Sequence, residues 1–364
     1  MKIIHIGIYP FNIPLRDVFQ ISTMALETAE NVVIEIGTDE GITGWGEASP
    51  MRSIVGETQS IITAASGELK PLLMGKDPLA IADLVHMMDA YLPYNTTAKS
   101  AFDMALYDIA AQAAGVPLYR LLGGAKREME TDLTIGIGDP DQAGKRAAAI
   151  RDMGFRIIKV KIGMDFAADY RRLANIRDAI GDEPVIRVDA NQGWNRVDGV
   201  ANLCAIDEFD IEFCEQPCAK YDLETMKYIS DRSPIPVMAD EALFTPHDAY
   251  NIARLEAAPY LNIKLSKSGG IANAARIAAI ADAAGMPCMM GCMSESRIGI
   301  TAAAHFALSQ GCVQFFDLDS HLEHSLNPVI GGVTTENGMI DVPDAPGLGA
   351  RPDPAFLKIM GEVG

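Results

Sequence analysis

The chain has 364 residues, 49% hydrophobic and 22% charged, an ordinary globular composition with length enough for two structural units. Its 30 basic and 49 acidic residues leave a formal charge of −19, which repels phosphate backbones and argues against nucleic-acid binding. No apolar run approaches the ~18 residues of a membrane span, and the opening MKIIHIGIYPFNIPL reads as a strand rather than a signal peptide, so no membrane partner and a cytoplasmic location are expected.

Residues 1–45 read as strands. Val32, Ile34 and Ile36 alternate, a turn follows at Thr38-Asp39-Glu40-Gly41, and Ile42 to Trp45 begins the return. Residues 58–122 carry helical spacing, clearest at Ala101-Phe102, Ala105-Leu106 and Ile109-Ala110. Gly115-Val116-Pro117 stops that helix and Gly123-Gly124 closes the segment. Residues 1–124 are therefore expected to form an α+β capping unit.

After Gly124 short apolar strands recur about every 25 residues with amphipathic helices between them. They end at Ile137, Lys161, Asp189, Glu215, Asp240, Lys264, Gly291 and Asp317. Repeated βα units specify a parallel sheet, and eight of them a closed barrel. An open doubly wound sheet is the alternative, but no Gly-x-Gly-x-x-Gly follows any strand to support dinucleotide binding. The barrel is assigned to 125–330. The Gly- and Pro-rich segment 331–364 is expected to return to the cap. All six cysteines lie in the second half of the chain and are expected to be reduced thiols. Cys214-x3-Cys218 and Cys288-x3-Cys292 have the wrong spacing for a usual zinc site.

Charge placement carries the functional information. Each central strand is apolar up to its carboxyl end, where one ionisable residue stands: Lys161, Asp189, Glu215, Asp240 and Lys264, successively 28, 26, 25 and 24 residues apart. In a barrel those ends open on one face, where active sites lie. Three converging carboxylates repel unless a cation joins them, and an all-oxygen set favours Mg²⁺ over Zn²⁺. A carboxylic acid held on such a metal has its α-carbon acidified. One lysine then removes the α-proton and the other returns a proton to the opposite face. Lys159, on the same strand face as Lys161, together with the metal, is expected to push Lys161 toward a neutral amine.

Lys159-Val160-Lys161, Asp189-Ala190-Asn191-Gln192-Gly193-Trp194, Glu215-Gln216-Pro217, Ala239-Asp240-Glu241 and Asn262-Ile263-Lys264-Leu265 resemble the muconate-lactonising subgroup of the enolase superfamily. The likeness extends to Gly44-Trp45-Gly46-Glu47, Ala105-Leu106-Tyr107-Asp108 and Leu121-Leu122-Gly123-Gly124 and covers nearly the whole chain. It implies an α/β architecture, a (β/α)7β TIM-like barrel under an N-terminal α+β cap, with a Lys–Lys acid/base pair and one Mg²⁺ per subunit. Asp317-Leu318-Asp319 is similar to the Asp-x-Asp pairs with which dipeptide epimerases hold the substrate's α-ammonium, and residues two apart on a strand share a face. The expected partner is thus a dipeptide, inverted at its C-terminal α-carbon.

Family members acting on Ala-Glu carry an arginine in the first capping loop. Met24 stands there, no Lys or Arg occurs between Arg16 and Arg52, and Met51, Ile54 and Val55 occupy the second loop. An Ala-hydrophobic dipeptide is therefore expected over Ala-Glu, with Met24 and Met51 at the substrate; packing against the barrel rim is their alternative role. Asn191 is expected to orient the metal site, Glu241 and Lys267 to pair beside it, and Ser294 and Ser296 to line the pocket or begin a helix. His321 and His324 are assigned to a rim loop. Competing readings are an N-acylamino acid racemase or o-succinylbenzoate synthase, a cycloisomerase or dehydratase, and a metal-binding barrel without catalysis. A homo-oligomer is expected.

Overall fold

The computed structural model describes residues 1–363. Three antiparallel strands open it, β1 (Ile3–Gln20), β2 (Ala25–Thr38) and β3 (Thr43–Ala48), in the order β1-β2-β3. The prolines of β1 stand on an edge strand, where a missing N–H costs no ladder bond. Ile6, Ile8, Val32, Ile34 and Ile36 bury one face of this sheet against helices, making a core of its own. The helical stretch expected over 58–122 is broken into Gln59–Leu73, Ile81–Tyr91, Thr96–Ala113 and Leu118–Leu121. Gly75, Asn95 and Gly115 adopt positive φ at the breaks, and Pro78, Pro93 and Pro117 lie beside them.

Gly44 and Gly46 explain themselves in this packing. A Cβ on Gly46 would stand 1.9 Å from the carbonyl oxygen of Ala101, and one on Gly44 2.2 Å from that of Ala105. Only glycine lets β3 lie this close on Thr96–Ala113. Gly46→Ala is expected to cost about 3 kcal/mol through overpacking against backbone, seen as an earlier denaturant midpoint. Unchanged stability would refute the explanation.

Eight parallel strands follow: β4 (Leu133–Ile135), β5 (Ile157–Lys161), β6 (Val185–Asp189), β7 (Ile211–Glu215), β8 (Val237–Ala239), β9 (Tyr260–Ile263), β10 (Cys288–Met290) and β11 (Val313–Phe316). Each is hydrogen-bonded to the next in chain order, and helices cover the outside. The sheet curls until its ends meet. Across the seam Leu318 N–H donates to Thr131 Oγ1 and Thr134 N–H to Asp319 Oδ2, both at 2.8 Å. Arg187 bonds both sides at 3.0 Å, to Asp132 Oδ2 and to the carbonyl of Phe316.

The tail touches both units rather than the cap alone. Its helix Pro354–Met360 lies on β1, with Phe356 edge-on to Phe11 at 5.1 Å. Its hairpin instead closes the approach to β4, through Thr131 N–H to the Gly338 carbonyl and Ile340 N–H to that of Met129. Among the described residues no helix is long and apolar enough to cross a membrane.

Candidate active site at the carboxyl ends of the barrel strands

Register places the expected charges at one level. Lys161 pairs with Asp189 across β5–β6, and Asp189 with Glu215 across β6–β7. Asp240 and Lys264 follow directly on β8 and β9. One carboxylate oxygen from each of Asp189, Glu215 and Asp240 lies within 4.8 Å of the others, all three residues buried. Strands four apart in an eight-stranded barrel stand opposite each other. Lys161 and Lys264 therefore face one another along one diameter, and Glu215 and Asp317 along the diameter that crosses it.

The lysines reach the carboxylates directly. Lys161 Nζ stands 2.6 Å from Asp189 Oδ2 and Lys264 Nζ 3.0 Å from Asp240 Oδ2. Lys159 goes where the spacing did not indicate. It is buried on the barrel axis, 2.7 Å from Glu215 Oε1, 2.6 Å from Asp317 Oδ2 and 3.7 Å from Asp189 Oδ2. Burial alone would lower its pKa, but Asp317, Glu215 and Asp189 outweigh that and hold it well above the usual lysine value.

Negative charge in the triad is unevenly balanced. Burial pushes Glu215 up to about 7, against the pull of Lys159 and with further help from Asp189 and Asp240. Burial would also raise Asp240, but Lys264, Lys267 and Lys159 overcome it and hold the carboxyl low. Asn262 Nδ2 donates to Glu215 Oε2 at 2.9 Å. Three buried carboxylates without histidine or cysteine form an oxygen-only donor set that suits Mg²⁺.

Around the triad the chain is stiffly held. Asn191 and Gln216, just past two of the acids, have positive φ, a costly conformation outside glycine that tends to cluster at functional sites. Gln216 Oε1 accepts from Asp240 N–H and Ala242 N–H, both at 3.0 Å, tying β7 to the end of β8. Asn191 N–H donates to Asp189 Oδ1 at 2.8 Å, and its Nδ2 to Glu241 Oε1 at 3.1 Å. The expected Glu241–Lys267 pair does not form. Lys267 is engaged by the carboxylate and carbonyl of Asp240 and by the Asn262 carbonyl, because the turn Leu265–Ser268 folds it back beneath Asp240.

Opposite the triad, Asp317 and Asp319 are both buried. Burial would raise Asp317, but Lys159, Lys264 and Lys161 hold it down at about 2. Burial and then Asp317 push Asp319 up to about 6, against the Thr134 N–H that it accepts. Cys292 Sγ lies 3.8 Å from Asp319 Oδ1. Met51 and Ser294 help line a cavity of about 30 Å³ beside Asp319. Met24 is outside that lining but packs in the same apolar cluster, with Ile21, Met51, Ile54 and Met293.

Ser296 does not face the cavity. It caps helix Arg297–Ser309 and donates to Glu47 Oε2 at 2.8 Å. Glu47 also accepts from Asn31 Nδ2 and from Ser296 and Gly299 N–H, so a buried cap carboxylate fastens a barrel helix. Glu295 accepts from Ser266 and the Met293 N–H. Glu47 and Asn262 stand in motifs that carry the family resemblance, but neither received a role from sequence; Asn262 had a signal, since it precedes Lys264 by two on one strand face, as Lys159 precedes Lys161. His324 is buried and His321 half-buried on the rim segment. All six cysteines are free, and only Cys204 is exposed.

Residues 3–123 match the family model of the mandelate racemase / muconate lactonizing enzyme N-terminal domain, and 142–356 that of the enolase C-terminal domain-like family. The chain is 40% identical to the L-Ala-D/L-Glu epimerase of Bacillus subtilis, covering 96% of each. It is 37% identical to the hydrophobic dipeptide epimerase of Enterococcus faecalis, over 96% of this chain and 99% of that protein. The dipeptide epimerase of Cytophaga hutchinsonii, solved with Mg and D-Ala-L-Val, superposes with a TM-score of 0.98 at 38% identity. That match covers 100% of this chain and 99% of that one.

Proposed function

We propose, for a chain that belongs to the mandelate racemase / muconate lactonizing enzyme family of the enolase superfamily, how its residues divide the work of a Mg²⁺-dependent dipeptide epimerase. The protein is an isomerase of the racemase and epimerase kind. The observation that carries the assignment is the crossing of two diameters at the barrel mouth. One runs from Lys161 to Lys264 and the other from the carboxylate triad to Asp317.

A dipeptide laid along the second diameter has its carboxylate at Asp189, Glu215 and Asp240 and its α-ammonium at Asp317 and Asp319. Its C-terminal α-carbon then lies where the lysine diameter crosses. Bound Mg²⁺ supplies the positive charge that stabilises the carboxylate oxygens as the α-proton leaves. Lys161 takes a proton on one face and Lys264 returns one on the other, which inverts the centre. Both amines rest on triad carboxylates, Lys161 on Asp189 and Lys264 on Asp240, the acids that would hold a bound Mg²⁺. Asn191, Gln216, Glu241 and Lys267 hold the acids in place and touch no reacting atom.

An apolar second residue is favoured over glutamate. Met24, Ile21, Ile54 and Met51 form an apolar cap cluster, and the first capping loop has no cation to meet an anionic side chain. A ligand without an ammonium would bring no cation to the two buried carboxylates Asp317 and Asp319, which disfavours N-acylamino acids and succinylbenzoate precursors. The homo-oligomer and cytoplasmic location stand as expectations, tested by sedimentation and cell fractionation.

A dipeptide library incubated with Mg²⁺ in deuterated water tests the reading. Mass spectrometry is expected to find one deuterium in the C-terminal residue of dipeptides with apolar second residues, and a chelator to stop the exchange. No exchange with any dipeptide would sink the assignment.

A further inference from the structure

We infer that this chain has a subsite for a branched aliphatic side chain on the first residue of the dipeptide, built where the cap meets the barrel. The inference rests on the dipeptide reading above and deepens it. Leu15 and Phe19 of β1, Met51 of the second capping loop and Met293 after β10 wall the cavity, and Asp319 and Glu323 border it.

Position decides which residue it serves. The second residue lies between Lys161 and Lys264, on β5 and at the end of β9. The cavity instead adjoins Asp319, on the ammonium side. In a dipeptide the carbon that bears the ammonium also bears the first side chain, so that side chain is the group delivered here.

Size and charge narrow the class. About 30 Å³ admits roughly two water molecules, at ~10–15 Å³ each, which is the space of the terminal methyls of valine or leucine. Alanine leaves the cavity unfilled, and an aromatic or arginine side chain exceeds it. Asp319, which has no basic partner among the described residues, repels an anionic first residue. Glu323 already pairs with Arg146 at 3.0 Å, so it offers a cationic side chain little. Three of the four apolar walls come from the cap, so the subsite exists only where cap and barrel meet.

The test compares kcat/KM for Leu-Val, Val-Val, Ala-Val, Glu-Val and Lys-Val. Leu-Val or Val-Val is expected to exceed Ala-Val by roughly tenfold, the usual minimum for a methylene in an apolar pocket, with Glu-Val and Lys-Val below Ala-Val. Leu15→Trp fills the cavity from β1, and Met51→Phe from the facing loop. In either folded variant the Leu-Val to Ala-Val ratio should fall at least tenfold. Ala-Val equal to or better than Leu-Val in the parent, or an unchanged ratio in both variants, overturns the subsite while exchange with Ala-Val preserves the epimerase. Absence of exchange with all five dipeptides sinks both.

Discussion

Loss of either barrel lysine is expected to abolish epimerisation while leaving, at most, exchange with a single stereoisomer. Removal of a positioned acid/base group costs about 10²–10⁴-fold. Inversion needs both groups in one turnover, so Lys161→Ala and Lys264→Ala should each lose at least 10³-fold. Proton exchange without inversion needs only one. With Lys264 removed, Lys161 still faces one side of the α-carbon and can wash deuterium into the isomer whose proton points toward it; Lys161→Ala should show the complementary isomer. Each substitution also strips a partner from Asp189 or Asp240. Metal affinity measured by titration must therefore stay within a few-fold for the kinetic loss to belong to proton transfer. NMR of the α-proton, recorded with both stereoisomers in deuterated water, separates the outcomes. Full activity with both isomers in both variants would mean that other groups move the proton.

Asp317→Asn is the second large effect. It keeps the shape of the side chain but removes the anion proposed to meet the substrate's ammonium. Truncating one partner of a buried, hydrogen-bonded charge pair costs about 2–5 kcal/mol, so kcat/KM for dipeptides should fall by roughly thirty- to several thousand-fold. N-acylated amino acids, which bring no ammonium, serve as the control and should be little affected. Lys159 keeps Glu215 as a partner in this variant, so the barrel floor retains an ion pair. Lys159, Lys264 and Lys161 hold Asp317 at about 2, which leaves it anionic throughout the neutral range. The substrate's own ammonium, near 8, is then the group whose loss weakens binding at high pH. Dipeptide turnover within twofold of the parent would place the ammonium elsewhere.

Much of the site was legible because βα periodicity is a one-dimensional signal. An apolar strand interrupted by one charge at its end, repeated every 24 to 28 residues, specifies which residues share a barrel mouth. Local patterning also marked the cap, although the helical stretch 58–122 proved to be four helices divided by Gly and Pro. Side-chain partners were less accessible. Glu241 and Lys267 follow the ends of neighbouring strands, which invites pairing, yet a single tight turn sends Lys267 to Asp240. Ser296 had two readings that spacing left balanced, and the helix start that it caps decided between them.

The sequence by itself determined the order Lys161, Asp189, Glu215, Asp240 and Lys264 around one mouth, and with it the kind of chemistry. Neighbouring strands differ by one βα unit, so their relation is already written in residue spacing. Only the tertiary structure decided what lies opposite what. Lys159 meets Asp317 across 158 residues, Glu47 of the cap accepts the amides that open a barrel helix, and Leu15, Phe19 and Met51 join Met293 in one cavity. Such contacts arise from closure of the sheet and the seating of the cap upon it. They depend on the summed curvature of eight strands, which no local pattern encodes.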